Sequence, residues 1–167
     1  MVETAPFTIS RDLKAPRALV WQVQTEAQHI ANWWSPEGFR TIHSDMDFRV
    51  GGTYHYGNEG PGGVQFWGLQ TFREIVPQER IVLIQSFSDK DGKLTRHPMS
   101  AEWPLEMLST TTFADIAGGM TRLTISWRPY QSDEAGAKTF EAGRASMTGG
   151  FSGTLAKLEA YLAQLQK

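Results

Sequence analysis

The sequence predicts an α+β domain in which a curved antiparallel sheet packs against one long C-terminal helix. Two observations lead to this prediction. Strand-like runs follow one another between residues 39 and 130, and turn residues such as Gly51-Gly52 and Asp91-Gly92 separate them. Residues 133–166 then carry apolar side chains at steps of three or four, as a helix does. A helix of this length has to bury its apolar stripe, and a curved sheet is a suitable partner.

The N-terminal part is predicted to form one strand and two short helices. Residues 6–14 alternate between apolar and polar side chains, whereas 15–25 and 26–34 have helical spacing. Pro16 is compatible with the first turn of a helix. Ser35-Pro36 ends the second helix, because the residue before a proline is driven out of the helical region.

The tryptophan pair in HIANWWSPEGF needs two separate places of burial. Ile30, Trp33 and Trp34 stand at i, i+3 and i+4, and therefore on one side of the second helix. One hypothesis is that one tryptophan seals the core while the other reaches the edge of a cavity. The alternative is that both simply plug the core.

Six further strands are predicted, and their alternation indicates which side chains point inward. Tyr54 and Tyr56 share a face, Met107 and Phe113 share a face, and Trp127 lies on the apolar face of the last strand. The run RIVLIQSF is apolar on both faces, so alternation does not assign its inner side. Such an interior suits a small apolar ligand with a few polar anchors, and the alternative is a filled core. The predicted strands are 39–50, 53–58, 64–75, 80–89, 107–116 and 121–130.

The predicted helix 133–166 has a charged residue and several glycines among its apolar positions. Arg144 could anchor an anionic or carbonyl group of a ligand, or it could reach past the helix edge to solvent. Gly149-Gly150 and Gly153 each cost about 1 kcal/mol relative to alanine in a helix interior. We therefore predict that the helix bends, or passes closest to the sheet, at Gly149-Gly150. The stripe consists of Phe140, Arg144, Met147, Phe151, Thr154, Leu158, Tyr161 and Leu165.

Composition excludes several classes of function. The 167 residues fit a single domain, 1–167, and 40% hydrophobic residues suffice for one core. The net charge of −2, with acids and bases interspersed, predicts no binding to nucleic acid. The absence of cysteine excludes disulfides and thiolate chemistry. The chain has neither a signal-peptide pattern nor an apolar run long enough to span a membrane, and we expect it to be cytoplasmic.

No group of residues predicts catalysis, a metal or a cofactor. Asp45 and Asp47 share a strand face and could do acid–base work if burial separated their pKa values, although an exposed face explains them more simply. Glu102 and Glu106 could line a pocket mouth, but they fit a solvated loop better. The histidines lack the spacing of zinc ligands; they are His29, His43, His55 and His97. We therefore assign no catalytic residue, no metal and no cofactor.

Several motifs resemble one family when they are taken together. They are RDLKAPRALVWQVQTEAQHIANWWSPEGF, DFRVGG, IVPQERIV, TTTFADIAGGMTRLTISW and GGFSGTLAKLEAYL. They resemble the helix-grip superfamily of steroidogenic-acute-regulatory-related lipid-transfer domains and birch-pollen allergens. Within it, the chain resembles the branch named after the activator of the heat-shock-protein-90 ATPase. The resemblance covers essentially the whole chain and is specific for fold, not for reaction. It implies a helix-grip fold, in which seven antiparallel strands grip the C-terminal helix around a cavity.

The implied cavity leads to three hypotheses of function. The first is the binding of a small hydrophobic or aromatic molecule. An enzyme of cofactor-independent cyclase, aromatase or hydrolase type would need a buried acid or base, and the sequence shows no convincing one. A protein-interaction domain resembling the chaperone-ATPase activators would need a large docking patch. Monomer and homodimer are both compatible with the sequence. The predicted ligand-binding residues are Trp34, Tyr54, Tyr56, Phe87, Trp103, Met107, Phe113, Trp127, Phe140, Arg144, Met147 and Phe151.

Overall fold

The predicted α+β helix-grip fold is confirmed by the computed structural model, which describes residues 4–167. The strands are β1 (Phe7–Leu13), β2 (Arg40–Met46), β3 (Thr53–Glu59), β4 (Gln65–Val76), β5 (Arg80–Ser88), β6 (Leu94–Thr95), β7 (Met107–Ile116) and β8 (Met120–Pro129). The helices are α1 (Arg17–Thr25), α2 (Ala27–Ile30), α3 (Glu134–Ala142) and α4 (Arg144–Leu165), and a 3-10 turn spans Pro61–Gly63.

One antiparallel sheet contains all the strands, in the order β1-β8-β7-β5-β4-β3-β2, with the two-residue strand β6 paired to the end of β5. Neighbouring strands in this order are mostly consecutive in the chain, which explains why short turns connect them. There are two exceptions: β1 pairs with β8 from the other end of the chain, and β5 pairs with β7 across the long β5–β7 connection (residues 89–106), which contains β6. This connection forms one side of the candidate site.

Two predicted elements are shorter than expected. Strand 39–50 ends at Met46, because Asp47–Gly52 turns the chain back. Within this turn the Arg49 amide donates to the Asp47 carbonyl at 3.0 Å, and Gly51 has a φ of 85°, which only glycine adopts without strain. The second helix is α2, which covers Ala27–Ile30 and continues as turns toward Trp34.

The long C-terminal helical stretch is interrupted at Gly143, between α3 and α4. A Cβ atom at Gly143 would lie 3.0 Å from the Trp103 ring, so the absence of a side chain at Gly143 leaves room for this ring. The helix is continuous through Gly149-Gly150, where a Cβ would meet no atom within 4 Å. The predicted bend or close approach at Gly149-Gly150 is therefore wrong.

No helix within residues 4–167 is long and apolar enough to cross a membrane.

The two adjacent tryptophans have different surroundings. Trp33 is fully buried, and its Nε1 donates to the Val23 carbonyl at 3.0 Å. Trp34 is half-buried and stands perpendicular to Trp33, with ring centroids 5.7 Å apart. Lys157 of α4 holds the next residue, since its Nζ donates to the Ser35 hydroxyl and, at 3.1 Å, to the Ser35 carbonyl. Trp33 thus seals the core, while Trp34 is free to face the space between sheet and α4.

Candidate ligand-binding cavity

Two neighbouring hollows lie between the inner face of the sheet, helices α3 and α4, and the β5–β7 connection. The larger has a volume of about 470 Å³ and the smaller about 390 Å³. Both volumes fall within the range of about 300–1,000 Å³ that is usual for small-molecule sites. The hollows share lining residues and are therefore adjacent, and we refer to them together as the cavity. The shared residues are Tyr56, Phe87, His97, Trp127 and Met147.

Aromatic rings from three elements form the apolar wall of the smaller hollow. Trp127 points inward from β8, and its Nε1 donates to the Ser109 hydroxyl at 2.9 Å on the paired residue of β7. This bond satisfies the indole N–H and holds the ring in position. Phe151 of α4 approaches Trp127 with ring centroids 4.7 Å apart and approaches Trp34 at 6.3 Å. The wall therefore combines Trp127 from the sheet, Phe151 from α4 and Trp34 from the turns that follow α2.

Two glycines in paired strands leave room for large rings on opposite faces of the sheet. Gly68 of β4 lies opposite Tyr56 of β3, and a Cβ at Gly68 would overlap the Tyr56 hydroxyl. On the other face, Trp67 covers its partner Gly57, where a Cβ would lie 2.7 Å from the ring. The missing side chain of Gly68 lets the Tyr56 hydroxyl reach across β4 toward β5.

A buried polar chain crosses the floor of the cavity from β4 to β3. Gln70 Nε2 donates to Gln85 Oε1 at 2.9 Å, and Gln85 Nε2 donates to the Tyr56 hydroxyl oxygen at 2.8 Å. Gln85 Nε2 also donates to the Ser86 carbonyl at 3.1 Å. Burial raises the pKa of Tyr56, and the hydrogen bond from Gln85 opposes this effect. The Tyr56 hydroxyl is therefore protonated at neutral pH.

The β5–β7 connection contributes a row of stacked rings that reaches from β5 to α3. Phe87 and His97 have ring centroids 4.6 Å apart, His97 and Trp103 are 5.9 Å apart, and Trp103 and Phe140 are also 5.9 Å apart. His97 Nδ1 accepts a hydrogen bond from the Met99 amide at 2.9 Å. Burial lowers the pKa of His97, which favours the neutral ring. Its proton then resides on Nε2.

The β5–β7 connection also forms an apolar rim. Met99 lines the smaller hollow yet exposes 80% of its surface, and Leu105 lines the larger hollow with 38% exposed. Ser100 and Ser146 add hydroxyl groups to the larger hollow, from the connection and from α4 respectively. The rim is thus mixed in polarity, and its apolar members are more exposed than the cavity floor.

Most of the predicted site residues meet at this cavity. Inward alternation on β3, β7 and β8 predicted Tyr56, Met107 and Trp127, and the helical stripe predicted Met147 and Phe151. The predicted residues that line it are Trp34, Tyr56, Phe87, Trp103, Met107, Trp127, Met147 and Phe151.

Three predicted aromatic residues lie in the packed core instead. Tyr54 is fully buried, and its hydroxyl lies 3.1 Å from that of Ser44, so a partner outside the cavity satisfies it. Phe113 lies farther along β7, where its ring meets Trp21 of α1 at 5.1 Å. Phe140 is fully buried beneath Trp103. Alternation places Tyr54 and Phe113 on the inner face of the sheet, and the helical stripe turns Phe140 toward it, but the inner face is longer than the cavity.

Arg144, the predicted ligand anchor of the helical stripe, does not line the cavity. Its Nε donates to Glu141 Oε2 at 2.8 Å, and its Nη1 donates to the Pro6 carbonyl at 3.2 Å. Its guanidinium group also lies 5.1 Å from the centre of the Phe140 ring. The guanidinium group of Arg144 is thus held by Glu141 and by the chain just before β1.

Sequence reasoning missed several polar residues of the cavity, and Gln85 and His97 are the two that matter for its hydrogen bonds. Gln85 had a signal, since it is the polar member of the face Ile81, Leu83, Gln85 and Phe87 in a strand that is otherwise apolar. A polar side chain at such a position has to find a partner or face a cavity. His97 had no comparable signal, because it stands in an irregular connection.

The carboxylate pairs do not contribute to the cavity. Asp45 and Asp47 are exposed, and Asp47 accepts a hydrogen bond from Arg49 Nε at 2.8 Å. Glu102 is exposed and Glu106 is half-buried, and neither lines the larger or the smaller hollow. The solvated-surface interpretation of these residues agrees with their positions.

The fold and the position of the cavity define a helix-grip domain. The family model described as "Activator of Hsp90 ATPase homolog 1-like protein" matches residues 14–163, and the chain belongs to this family. A comparison with curated proteins gives no match.

Solved structures of several bacterial proteins have the same fold. A protein from Arthrobacter aurescens, solved by solution NMR, has a TM-score of 0.78 and 24% identity, covering 98% of this chain and 89% of that one. A crystal structure from Nitrosomonas europaea has a TM-score of 0.76 and 20% identity, covering 99% of both chains. A crystal structure from Mycobacterium smegmatis has a TM-score of 0.74 and 24% identity, covering 95% of this chain and 91% of that one. At these identities the likeness establishes the fold alone.

Proposed function

We propose that the protein binds one small, mainly apolar or aromatic molecule in the cavity between the sheet and α4. The main support is the lining of the two adjacent hollows, where aromatic and aliphatic side chains surround a few hydrogen-bonding groups. Sites for small molecules usually have this composition, because apolar burial supplies most of the affinity and polar groups orient the ligand.

The residues proposed to contact the ligand have distinct roles. Trp127 and Phe151 offer ring faces and edges from the sheet and from α4. Met147 borders both hollows, and its unbranched side chain adapts to ligands of different shape. Tyr56 contributes a hydroxyl group at the floor. The remaining members of the proposed contact set are Trp34, Phe87, Trp103 and Met107.

The test uses the neutral dye N-phenyl-1-naphthylamine, whose fluorescence rises in apolar surroundings. We expect the wild-type protein to bind it saturably and Met147→Trp, which fills the space shared by the hollows, to bind it at least about tenfold more weakly. The matched control is Ala145→Trp, which places the same ring on an exposed position of α4. Circular dichroism and thermal unfolding establish that both variants are folded. Equal dye binding by the two folded variants, or no binding by the wild type, would contradict the proposal.

A further inference from the structure

The hydrogen bonds around Tyr56 determine where its hydroxyl proton can go. The Ser86 carbonyl only accepts hydrogen bonds, so the Gln85 atom at 3.1 Å from it is the amide nitrogen. That nitrogen also bonds the Tyr56 oxygen, so Tyr56 accepts from Gln85. A phenol hydroxyl carries one proton, and accepting a hydrogen bond from Gln85 does not use it. The proton of Tyr56 therefore remains to be donated.

The donor and acceptor nitrogens of His97 can be assigned in the same way. The Met99 amide is a donor, so His97 Nδ1 accepts and Nε2 carries the proton of the neutral ring. Within residues 4–167, no hydrogen-bond acceptor pairs with this Nε2–H or with the Tyr56 hydroxyl proton. Both residues line both hollows. The cavity therefore has two donors on its shared wall that lack protein acceptors.

Charge limits the kind of acceptor that fits these donors. Among residues 4–167, the side chains lining the two hollows include no lysine, arginine, aspartate or glutamate. Arg144 and Lys157 on α4 bind backbone carbonyls elsewhere. An anionic ligand would lose its hydration without gaining a cation, which is costly in apolar surroundings. A neutral acceptor oxygen avoids this cost.

From these observations we propose that the cavity selects neutral ligands whose apolar or aromatic body carries a carbonyl oxygen, as in a ketone, aldehyde, ester or amide. The Tyr56 hydroxyl donates to that oxygen, and His97 Nε2–H is a second donor on the same wall. This inference rests on the proposed binding function and adds the chemical class of the ligand. A ligand that offers only donors at this point would leave both protein donors without acceptors.

The experiment compares two probes of nearly the same shape. In 2-acetylnaphthalene a carbonyl oxygen stands where 2-isopropenylnaphthalene has a methylene group. Displacement of N-phenyl-1-naphthylamine gives the affinity of each probe. We expect the wild type to prefer the ketone by about 2- to 10-fold, the factor that corresponds to one net hydrogen bond. Its anionic counterpart, 2-naphthoate, should bind more weakly than the ketone.

Matched variants show which residues cause the preference for the ketone. Tyr56→Phe should reduce it to near unity while both probes still bind. Tyr54→Phe, the same change two residues away on the same strand face, should leave it unchanged, because that hydroxyl is bonded to Ser44 outside the cavity. His97→Phe keeps a ring between Phe87 and Trp103 and should reduce the preference partly. Infrared spectra of the bound ketone give a second readout, in which the wild type should lower the carbonyl stretching frequency.

The outcomes separate this inference from the function on which it rests. Equal affinity for ketone and alkene, an unchanged preference in Tyr56→Phe, or an unshifted carbonyl band would overturn the choice of ligand class and leave the binding function intact. If the wild type bound neither naphthalene probe nor the dye, the binding function itself would be wrong, and the inference would fail with it. Should Tyr56→Phe not fold, the infrared shift in the wild type gives the answer.

Discussion

The ring of Trp127 stands edge-on to the ring of Phe151, with centroids 4.7 Å apart and ring planes at 87°. Aromatic pairs favour this arrangement, because the positive edge of one ring meets the negative face of the other. The contact joins the last long strand to α4 beside the smaller hollow. Phe7 of β1 stacks near Phe151 at 5.9 Å. Phe151 therefore belongs both to the core and to the cavity wall.

Truncation of Phe151 tests whether this wall faces open space. Phe140→Ala, in the neighbouring helix, removes a fully buried ring that does not itself line the cavity and should cost about 3–5 kcal/mol of unfolding free energy. Phe151→Ala should cost less, because part of that ring already borders the cavity, and it should alter the affinity for N-phenyl-1-naphthylamine. Urea unfolding and dye titration measure both effects. Equal penalties with unchanged dye binding would indicate a solidly packed interior.

Gly68→Ala tests the link between the sheet backbone and the Tyr56 hydroxyl. The added methyl group overlaps that hydroxyl, so the ring must shift, and we expect a loss of about 1–3 kcal/mol in stability together with a weaker preference for the ketone probe. Gly57→Ala is the matched control: it displaces Trp67, which borders the smaller hollow but takes no part in the hydrogen bonds of Tyr56, because its Nε1 donates to Gln65. It should lower stability similarly and leave the ketone preference unchanged. A change of preference in both variants would point to general disruption of the sheet.

The glycines of the C-terminal helices should respond to alanine in opposite ways. Gly149→Ala places a methyl group in open space within α4 and should raise stability by about 0.5–1 kcal/mol, because alanine favours the helix. Gly143→Ala brings a methyl group to 3.0 Å from the Trp103 ring and should lower stability unless that ring moves. Urea unfolding of each variant decides the sign. A stability loss in Gly149→Ala would mean that α4 packs closely there after all.

Stability should depend on pH through His97. Burial lowers the pKa of His97 below its ordinary value of 6.5. The unfolded chain therefore binds the proton at a higher pH than the folded chain does. The contribution of His97 to stability is complete above about pH 6.5 and is lost as the pH falls through the pKa of the folded state. Protonation of Nδ1 would also remove the acceptor for the Met99 amide.

We expect His97→Gln to flatten the part of the stability–pH profile that His97 causes. Urea unfolding between about pH 7 and pH 5 measures the profile, and the Met99 amide chemical shift reports the loss of its bond on the same titration. Identical slopes in wild type and variant, with a Met99 shift that does not follow pH, would contradict the assignment of this effect to His97.

Alternation and turn chemistry sufficed for the sheet, because each strand has one face against the core and ends at a residue that turns the chain. Trp127 and Phe113 were both placed inward by this rule, and both are inward. Only Trp127 faces the cavity, since Phe113 meets Trp21 of a helix distant in sequence. The alternation of a strand shows which side chains point to the inner face of the sheet. It does not show which of them are covered by helices and which border the cavity.

By itself, then, the sequence determined the fold class, the order of elements and most of the side chains available to a cavity, because these depend on local spacing, turns and hydrophobic periodicity. The tertiary structure alone decided which of them meet. The position of the Tyr56 hydroxyl depends on Gly68 and Gln85, which lie on other strands. His97 acquires its role from stacking in an irregular connection. Hydrogen-bond direction and open volume depend on contacts between distant residues, and no local pattern encodes them.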